Sequence, residues 1–275
     1  MKTKISITVN SKIIKEVDSI IDNLFIRNRS QAIEYLLKRS FGESKIAVIL
    51  AGGDIKKLII NNNIYRPVYN LLGITPIELT INKLKKNNYK IIYIIGRKPL
   101  LTEVFKIVGN GSEFGVKLEY IEEKEGKGSA DSLRLLKGKI KNSFLTVFCD
   151  IIIENIDLKG LWDDHIKRKA TTTLLVASSP KAYRSGGIVF MEGNKINQFK
   201  EKPKKVESFI FFTGIFVSEP ELLEYNGESL QYHVFPKLAS KGLLYGYLSG
   251  KEHLHFHTKK DINKIEKQLK EMKII

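Results

Sequence analysis

Short apolar runs, separated by stretches with helical spacing, constrain the fold of this chain more than any other feature. Three of these runs cover residues 45–50, 91–95 and 144–148. A strand that is buried on both faces reads as a continuous apolar run, and such strands belong to parallel sheets covered by helices. Residues 76–87 show the amphipathic spacing of a helix. The pattern therefore predicts a Rossmann-like α/β fold with a mainly parallel sheet.

Further segments continue this alternation toward the C-terminus. Strand candidates lie at residues 174–177, 187–190 and 209–217. The apolar positions of a closing helix are Ile262, Ile265, Leu269 and Met272. Residues 40–44 break the helical pattern that precedes the first apolar run, so they are interpreted as a short linker between two domains.

The composition excludes several classes of protein. No run of about 18 apolar residues is present, so no membrane-spanning helix and no membrane partner are expected. The first residues lack the apolar core of a secretion signal. The single cysteine, Cys149, cannot form an intrachain disulfide and fits a reducing compartment. We therefore expect a cytoplasmic protein.

The chain is strongly basic, with 46 Lys and Arg against 30 Asp and Glu and a formal net charge of +16. Such an excess favours a polyanionic partner, either nucleic acid or a ligand that carries phosphate. Lysine, isoleucine and asparagine are abundant along the whole chain, so a lysine-rich proteome is an equally good explanation of the charge.

The first forty residues have a pattern of their own. Residues 3–9 alternate polar and apolar side chains, which predicts a half-buried strand. Two amphipathic helical patterns follow. Asn10 or Ser11 is the capping residue before the first, and Asn28-Arg29-Ser30 is the capping signal before the second. A lone strand leaves its backbone groups unpaired, and a core of this size is marginal. Two copies that pair their strands as an antiparallel ribbon would solve both problems.

This segment resembles a ribbon-helix-helix DNA-binding domain. The strand at residues 4–9 and the turn at residues 28–33 carry the resemblance, and the domain is expected to cover residues 1–42. The resemblance implies a homodimer through the N-terminal strand, with a higher oligomer left open, that binds double-stranded DNA. The alternative is that the strand only dimerises the protein and that its polar face is solvated.

The resemblance also implies which residues contact DNA. The outer face of the strand would read base edges in the major groove, where each base pair presents its own pattern of donors and acceptors. The N–H groups at the start of the second helix would bind a backbone phosphate. The predicted DNA-binding residues are Lys4, Ser6, Thr8, Asn28, Arg29 and Ser30.

Small and acidic residues end two of the predicted strands. Ala51, Gly52 and Gly53 follow the first run, and small residues there let backbone amides approach an anion. Asp150 comes soon after the run at 144–148, at the position where open α/β sheets bind ligands. Simpler interpretations are a tight turn for the glycines and a helix cap for the aspartate.

With several other short motifs, these residues resemble the sugar-phosphate nucleotidyltransferases. That family has a GT-A-like α/β fold and joins a sugar 1-phosphate to a nucleoside triphosphate with release of pyrophosphate. The resemblance runs from residue 46 to residue 261, inside an expected domain of residues 45–275. The motifs that carry it are Leu50-Ala51-Gly52-Gly53, Arg66-Pro67, Gly73-x-x-Pro76-Ile77-Glu78, Gly128-Ser129-Ala130, Asp150 and Glu201-Lys202-Pro203.

The resemblance implies a role for each matched residue. The nucleotide-binding residues would be Ala51, Gly52, Gly53, Lys57, Gly128 and Ser129. The catalytic residues would be Lys57, Arg66 and Asp150, and the sugar-phosphate-binding residues Glu201 and Lys202. Asp150 would hold Mg²⁺, with His255 at the second metal position. Cations and a metal suit phosphoryl transfer because they spread the charge on the transferred group.

Several positions depart from the family. Its glycine-rich stretch is replaced by Gly53-Asp54-Ile55-Lys56-Lys57, in which Ile55 restricts backbone approach to a phosphate. The asparagine expected before Thr213-Gly214 is absent, with Phe211-Phe212 in its place. His255 stands where a metal-binding aspartate is expected, between His253 and His257. Imidazoles bind transition metals but suit Mg²⁺ poorly, and an exposed histidine-rich strand without a ligand is the simpler interpretation.

Three hypotheses of function follow. The first is a DNA-binding transcriptional regulator whose transferase-like domain binds a nucleotide or sugar nucleotide as effector. The second is an active Mg²⁺-dependent sugar-phosphate nucleotidyltransferase that also binds DNA. The third is a structural platform whose larger domain binds no ligand.

Overall fold

In the computed structural model of this chain, the apolar runs form strands. The chain divides into two units, Met1–Ser44 and Lys45–Ile275. It describes residues 5–22, 26–40, 45–52, 58–61, 64–168, 170–179, 186–205, 207–250, 254–255, 259–272 and 274. The unit boundary falls at the end of the predicted linker. None of the helices in these ranges combines the length and apolarity needed to cross a bilayer.

Strands and helices alternate along the described ranges. The helices are α1 (Ser11–Ser19), α2 (Arg29–Ser40), α3 (Pro76–Lys86), α4 (Lys98–Val108), α5 (Ser129–Arg134), α6 (Leu158–Arg168), α7 (Phe235–Ser240) and α8 (Lys259–Glu271). The strands are β1 (Lys45–Ala51), β2 (Ile59–Asn61), β3 (Ile64–Tyr65), β4 (Tyr89–Gly96), β5 (Lys117–Glu122), β6 (Phe144–Phe148), β7 (Ile151–Ile152), β8 (Thr172–Ser178), β9 (Gly187–Glu192), β10 (Lys195–Glu201), β11 (Ile210–Ser218), β12 (Leu244–Leu248) and β13 (Leu254–His255). The predicted strands and helices of the larger unit are confirmed within one to three residues at each end.

Nine strands form one sheet in the order β5-β4-β1-β6-β11-β8-β12-β10-β9. The first four strands are parallel to one another. Beyond β6 the sheet is mixed, because β11 runs antiparallel to both β6 and β8, and β10 runs antiparallel to β12 and β9. The prediction of a mainly parallel sheet is therefore correct for one half and wrong for the other. Antiparallel strands also tolerate short connections, and β9 and β10 are joined by two residues.

Alternate residues of each central strand enter two different cores. Ala47 and Ile49 of β1 pack with α3, α4 and α6 on one face of the sheet. Val48 and Leu50 pack with α5 and α7 on the other face. Burial on both faces explains why β1 is apolar along its whole middle.

The smaller unit contains the two predicted helices but not the predicted strand. Asn10 caps α1, since its side chain accepts a hydrogen bond from the N–H of Lys12, and Val17 and Ala32 are buried between α1 and α2. The described residues before Asn10 are not in a strand in this single chain. A strand needs a second edge to pair with, and the described residues of this unit supply none.

A buried histidine links the end of β11 to α6. The ring of His165 is fully buried; its Nε2 lies 3.0 Å from Oε1 of Glu219 and its Nδ1 lies 2.9 Å from the hydroxyl of Thr173. Ser143 donates a second hydrogen bond to Glu219, over 2.6 Å. Burial raises the pKa of Glu219, but these hydrogen bonds outweigh it and hold that pKa below its usual value. His165 is thus part of a buried polar network.

Two buried threonines in the sheet differ in hydrogen bonding. Thr146 of β6 is fully buried and its hydroxyl has no partner among the described residues, whereas the Thr173 hydroxyl bonds to His165. We expect Thr146→Val to raise the free energy of unfolding by about 1 kcal/mol, because it removes an unsatisfied polar group. Thr173→Val should lower it by about 1–2 kcal/mol, because it leaves Nδ1 of His165 unpaired. Urea denaturation measures both, and equal shifts of the same sign would contradict the assignment.

Candidate active site

The carboxyl ends of β1 and β6 form the centre of the candidate site. The two strands are parallel neighbours with Leu50 opposite Phe148, and the N–H of Cys149 donates to the carbonyl of Leu50 over 3.0 Å. Continuing this register brings Gly52 and Asp150 to the same edge of the sheet. Open α/β sheets bind their ligands at this edge.

Arg66 and Asp150, both predicted to be catalytic, lie together at this edge. A nitrogen of the Arg66 guanidinium lies 3.9 Å from Oδ2 of Asp150, and the two side chains are only 14% and 24% exposed. Arg66 begins a short 3-10 helix, Arg66–Val68, in which the buried Pro67 fixes the backbone. At 3.9 Å the pair is held by charge rather than by a direct hydrogen bond. The structure therefore assembles a cation and an anion from distant parts of the sequence.

Cys149, next to Asp150, is not a reactive thiol. Its side chain packs against the core that Ala47 and Ile49 of β1 form with α3, α4 and α6. Burial raises the pKa of its thiol well above the ordinary value, Asp150 raises it further, and Arg66 opposes the change. The thiol therefore stays protonated at neutral pH.

A buried carboxylate that the sequence reasoning missed lies against Gly52. Glu123 is 3% exposed, follows β5 directly, and accepts a hydrogen bond from the Ser132 hydroxyl over 2.6 Å. A Cβ on Gly52 would overlap the Glu123 carboxylate, so a side chain at this position would have to displace that carboxylate. Ala51, in contrast, is the buried last residue of β1. The strand before Glu123 carries Lys117, Glu119 and Glu122, so no apolar run marked Glu123 in the sequence.

Gly128 and Ser129, predicted to bind nucleotide, are engaged within the protein. The Ser129 hydroxyl donates to Gln231 over 2.9 Å and accepts from the N–H of Leu230 over 3.0 Å. The carbonyl of Glu228 accepts from the N–H groups of two residues in the first turn of α5, and a Cβ on Gly128 would overlap it. The N–H groups at the start of a helix are the donors that could bind an anion, and here two of them, those of Ala130 and Asp131, already donate to the Glu228 carbonyl. Gly128 and Ser129 hold α5 to residues 228–231.

Glu201, the last residue of β10, and Lys202 lie at the same edge of the sheet, next to the start of β11. Gly214 of β11 lies against Phe148 and Ile151, and Phe211, closer to the start of the strand, pairs with Ile188 of β9. Glu201 of β10 lies opposite Gly187, the first residue of β9.

The conformation of Glu201 and Lys202 is unusual. The Glu201 side chain is 7% exposed, and its Oε2 has no hydrogen-bond partner among the described residues. Burial raises the pKa of Glu201 and Lys202 opposes the change. Lys202 has a φ of 43° and a 69% exposed side chain. A left-handed backbone at a non-glycine residue costs about 1 kcal/mol and is typical of functional sites.

The remaining positions of the predicted site are described in part or not at all. Gly53 and Lys57 lie outside the described residues. The backbone of His255 pairs with Ile151, directly after Asp150, but its side chain is outside the described set. The described residues contain no group of three or more His, Cys, Asp or Glu placed to hold a metal. Mg²⁺ prefers oxygen ligands, so the donor set of Asp150 and His255 does not fit it.

The structure describes all but one of the predicted DNA contacts of the smaller unit. Lys4 lies outside the described residues, and Ser6, Thr8 and Ser30 are exposed. The Asn28 side chain caps α2 by accepting from the N–H of Gln31 over 2.9 Å.

Arg29 has a partner within its own unit. Its guanidinium makes two hydrogen bonds of 2.6 and 2.7 Å to the Asp18 carboxylate, which join α2 to α1. The hydrogen bond from Arg29 lowers the pKa of Asp18. Arg29 therefore stabilises the helix pair instead of extending freely toward a phosphate.

The close packing of Gly52 on Glu123 can be tested by stability alone. Gly52→Ala should lower the free energy of unfolding by about 1–3 kcal/mol, since the added methyl overlaps a buried carboxylate that Ser132 holds in place. Gly250→Ala is the matched control, because none of the residues that the structure describes lies within 4 Å of its Cβ position. Thermal and urea denaturation measure both variants; a Gly52→Ala protein as stable as the control would contradict the packing.

Comparisons with known proteins agree with this geometry. The family model described as Nucleotidyl transferase matches residues 46–261. The UTP--glucose-1-phosphate uridylyltransferase of Synechocystis sp. is 26% identical over 218 residues, which cover 72% of this chain and 56% of that protein. The mannose-1-phosphate guanylyltransferase of Mycobacterium tuberculosis is 27% identical over 148 residues, 51% of this chain and 41% of that protein. The chain thus spans about half the length of these curated relatives.

A solved structure gives the same fold. The inositol-1-phosphate CTP transferase from T. maritima superposes with a TM-score of 0.70 at 19% identity, covering 84% of this chain and 97% of that one. The family match begins at residue 46 and does not include the smaller unit. From its fold, the edge that joins Gly52, Arg66 and Asp150, and the match over most of its length, the chain belongs to the nucleotidyl transferase family.

Proposed function

We propose that the larger unit is a sugar-phosphate nucleotidyltransferase that joins a nucleoside triphosphate to a sugar 1-phosphate. The observation that carries the proposal is the approach of Arg66 to Asp150 at the carboxyl edge of β1 and β6. The named relatives that act on glucose 1-phosphate and mannose 1-phosphate support this substrate class. A reaction that uses nucleoside triphosphates also fits the cytoplasm expected from the composition.

In the proposed reaction a phosphate oxygen of the sugar 1-phosphate attacks the α-phosphorus of the triphosphate. A new P–O bond forms, the bond to the oxygen that bridges the α- and β-phosphorus atoms breaks, and pyrophosphate leaves. Negative charge develops on the oxygens of the transferred group, so a fixed cation lowers the barrier. Arg66 supplies a planar guanidinium for those oxygens. Gly52 lies at the end of β1, where open α/β sheets bind their ligands, and Glu123 fills the space that a side chain would take there.

Glu201 and Lys202 are assigned to the acceptor. The buried Oε2 of Glu201 has no partner among the described residues, and a sugar hydroxyl is a donor that would satisfy it. The exposed amine of Lys202 is a cation suited to the phosphate of the same molecule. The left-handed backbone of Lys202 supports this assignment, because strain at a non-glycine residue persists where function requires it.

A substrate panel tests the reaction. UTP, GTP, CTP and dTTP are each combined with glucose 1-phosphate and mannose 1-phosphate in several divalent salts, and pyrophosphate and nucleotide sugar are measured together. Arg66→Ala should lower kcat by about 100-fold or more, the usual effect of removing a group that stabilises developing charge. Lys202→Ala should mainly raise KM for the sugar phosphate. Lys200→Ala is the matched control, since its amine lies over the Phe190 ring, 4.9 Å from the centroid.

The competing hypothesis of an effector-binding regulator makes a different prediction for the same samples. A nucleotide that raises the melting temperature in every salt without any product would overturn the transferase and support the regulator. The absence of both product and a melting shift would support the platform hypothesis.

For the smaller unit, we propose that two copies pair their N-terminal segments as a ribbon that binds double-stranded DNA. The observation that favours it is the exposure of Ile5 and Ile7, at 66% and 55%, on alternate residues of a segment that pairs with no strand among the described residues. Pairing two copies would bury these side chains and satisfy the backbone groups beside them. The polar residues that alternate with them, Ser6 and Thr8, would then face the groove.

Full-length variants separate pairing from DNA contact. Ile7→Asp should convert a dimer into a monomer in light scattering, because it places a charge in the apolar interface. Lys4→Ala and Thr8→Ala should leave the dimer intact and weaken specific DNA binding by about 1–3 kcal/mol. A wild-type monomer would overturn the ribbon, and Lys4→Ala and Thr8→Ala dimers that bind DNA like the wild type would overturn the DNA contact.

A further inference from the structure

Glu123 is a buried carboxylate that the proposed reaction does not use. It directly follows β5 and is 3% exposed. Its Oε1 accepts a hydrogen bond from the Ser132 hydroxyl over 2.6 Å, and its Oε2 lies against Gly52, in the place where a Cβ would stand. A carboxylate enclosed in this way offers a ligand almost no surface, so its contacts are with the protein itself.

Backbone contacts extend this link across three neighbouring strands. The N–H of Glu123 donates to the carbonyl of Gly96, the last residue of β4, over 2.8 Å. Gly96 pairs with Ala51, the last residue of β1, and a Cβ on Gly96 would lie 3.0 Å from the Ala51 carbonyl oxygen. Because Ser132 belongs to α5, Glu123 joins the ends of β5, β4 and β1 to that helix.

The order of the strands indicates which substrate this link serves. The sheet runs β5-β4-β1-β6-β11-β8-β12-β10-β9, so Glu123 and Gly52 follow strands on one side of β6 and of Asp150. Glu201 and Lys202, assigned above to the acceptor, lie on the other side, at the end of β10. The half of the site that Glu123 supports is therefore the half left to the nucleoside triphosphate.

We propose that Glu123 is a positioning residue that holds the end of β1 in the place where it binds the nucleotide. Its carboxylate fills the space beside Gly52, and Ser132 fixes the orientation of that carboxylate, so the strand end is set before a ligand arrives. A displacement of about 1 Å in such a support can cost about 100-fold in rate. The identity of the ligand rests on the proposed transferase function, whereas the link itself rests on the contacts of Glu123.

Nucleotide binding and turnover are measured together on the full chain. UTP, GTP, CTP and dTTP are each titrated by calorimetry, and steady-state kinetics give kcat and the KM of each substrate. Glu123→Ala should raise the Kd of the bound triphosphate at least about tenfold and leave the KM of the sugar phosphate within about twofold. Glu123→Gln keeps the volume and an oxygen acceptor for Ser132, so its Kd should stay within about threefold of the wild type. Glu122→Ala is the matched control, because the neighbouring Glu122 is exposed.

Ser132→Ala is a milder variant that keeps Glu123 in place. It removes the hydrogen bond that orients the carboxylate, and it should raise the Kd of the triphosphate by about three- to tenfold. In a Glu123→Ala background the same change should have no further effect, since Ser132 acts through Glu123. This cycle decides the question if Glu123→Ala does not fold, because Glu123→Gln then serves as its second background.

Three results would overturn the proposal. The first is wild-type affinity for the triphosphate in both Glu123→Ala and Ser132→Ala. The second is a loss in Glu123→Gln as large as in Glu123→Ala, which would mean that the charge of Glu123 acts on the ligand directly. The third is an equal loss for triphosphate and sugar phosphate, the result of a general loss of structure.

The proposed function and the positioning role can fail separately. Triphosphate binding that depends on Glu123, without product from any substrate pair, would remove the transferase and keep the positioning role. Turnover that Glu123→Ala and Ser132→Ala leave unchanged would do the reverse. A wild-type protein that binds none of the four triphosphates would overturn both.

Discussion

The parallel pairing of β1 with β6 is the contact on which the rest of the site depends. It places two strand ends, separated by about a hundred residues of chain, side by side, with Leu50 opposite Phe148. Because parallel strands end at one edge, the small residue after β1 and the aspartate after β6 share a position that neither could create alone. Arg66 then reaches Asp150 from a third segment. A slip of one residue in this register would exchange the two faces of β1 and remove the site along with the core.

Several polar groups around this edge act on the protein itself. Glu123 supports the backbone at Gly52 and accepts from Ser132, while Ser129 holds α5 to Gln231. Groups used in this way preorganise a site, since each is fixed by bonds that a ligand does not have to break. The residues assigned to substrate are of another kind. Lys202 is exposed and Glu201 keeps a buried oxygen without a described partner.

The basic character of the chain belongs mostly to the larger unit. Met1–Ser44 contains eight Lys and Arg against five Asp and Glu, so its formal net charge is +3. The remaining +13 lies in Lys45–Ile275, whose proposed substrates carry phosphates. A positive field raises the local concentration of anionic substrates as well as of nucleic acid. The net charge that favoured a polyanionic partner therefore does not single out the smaller unit as the binder.

By itself the sequence determined the local elements of this protein. The strands β1, β4 and β6, the helix α3 and the cap at Asn10 follow from periodicity and capping, which act over a few residues. Resemblance in short motifs also identified the family and the positions of Arg66 and Asp150. The tertiary structure alone decided the mixed half of the sheet, the contact of Glu123 with Gly52 and the partners of Ser129, some hundred residues away. These features depend on which distant segments of the chain pack together, and the local sequence pattern does not determine that packing.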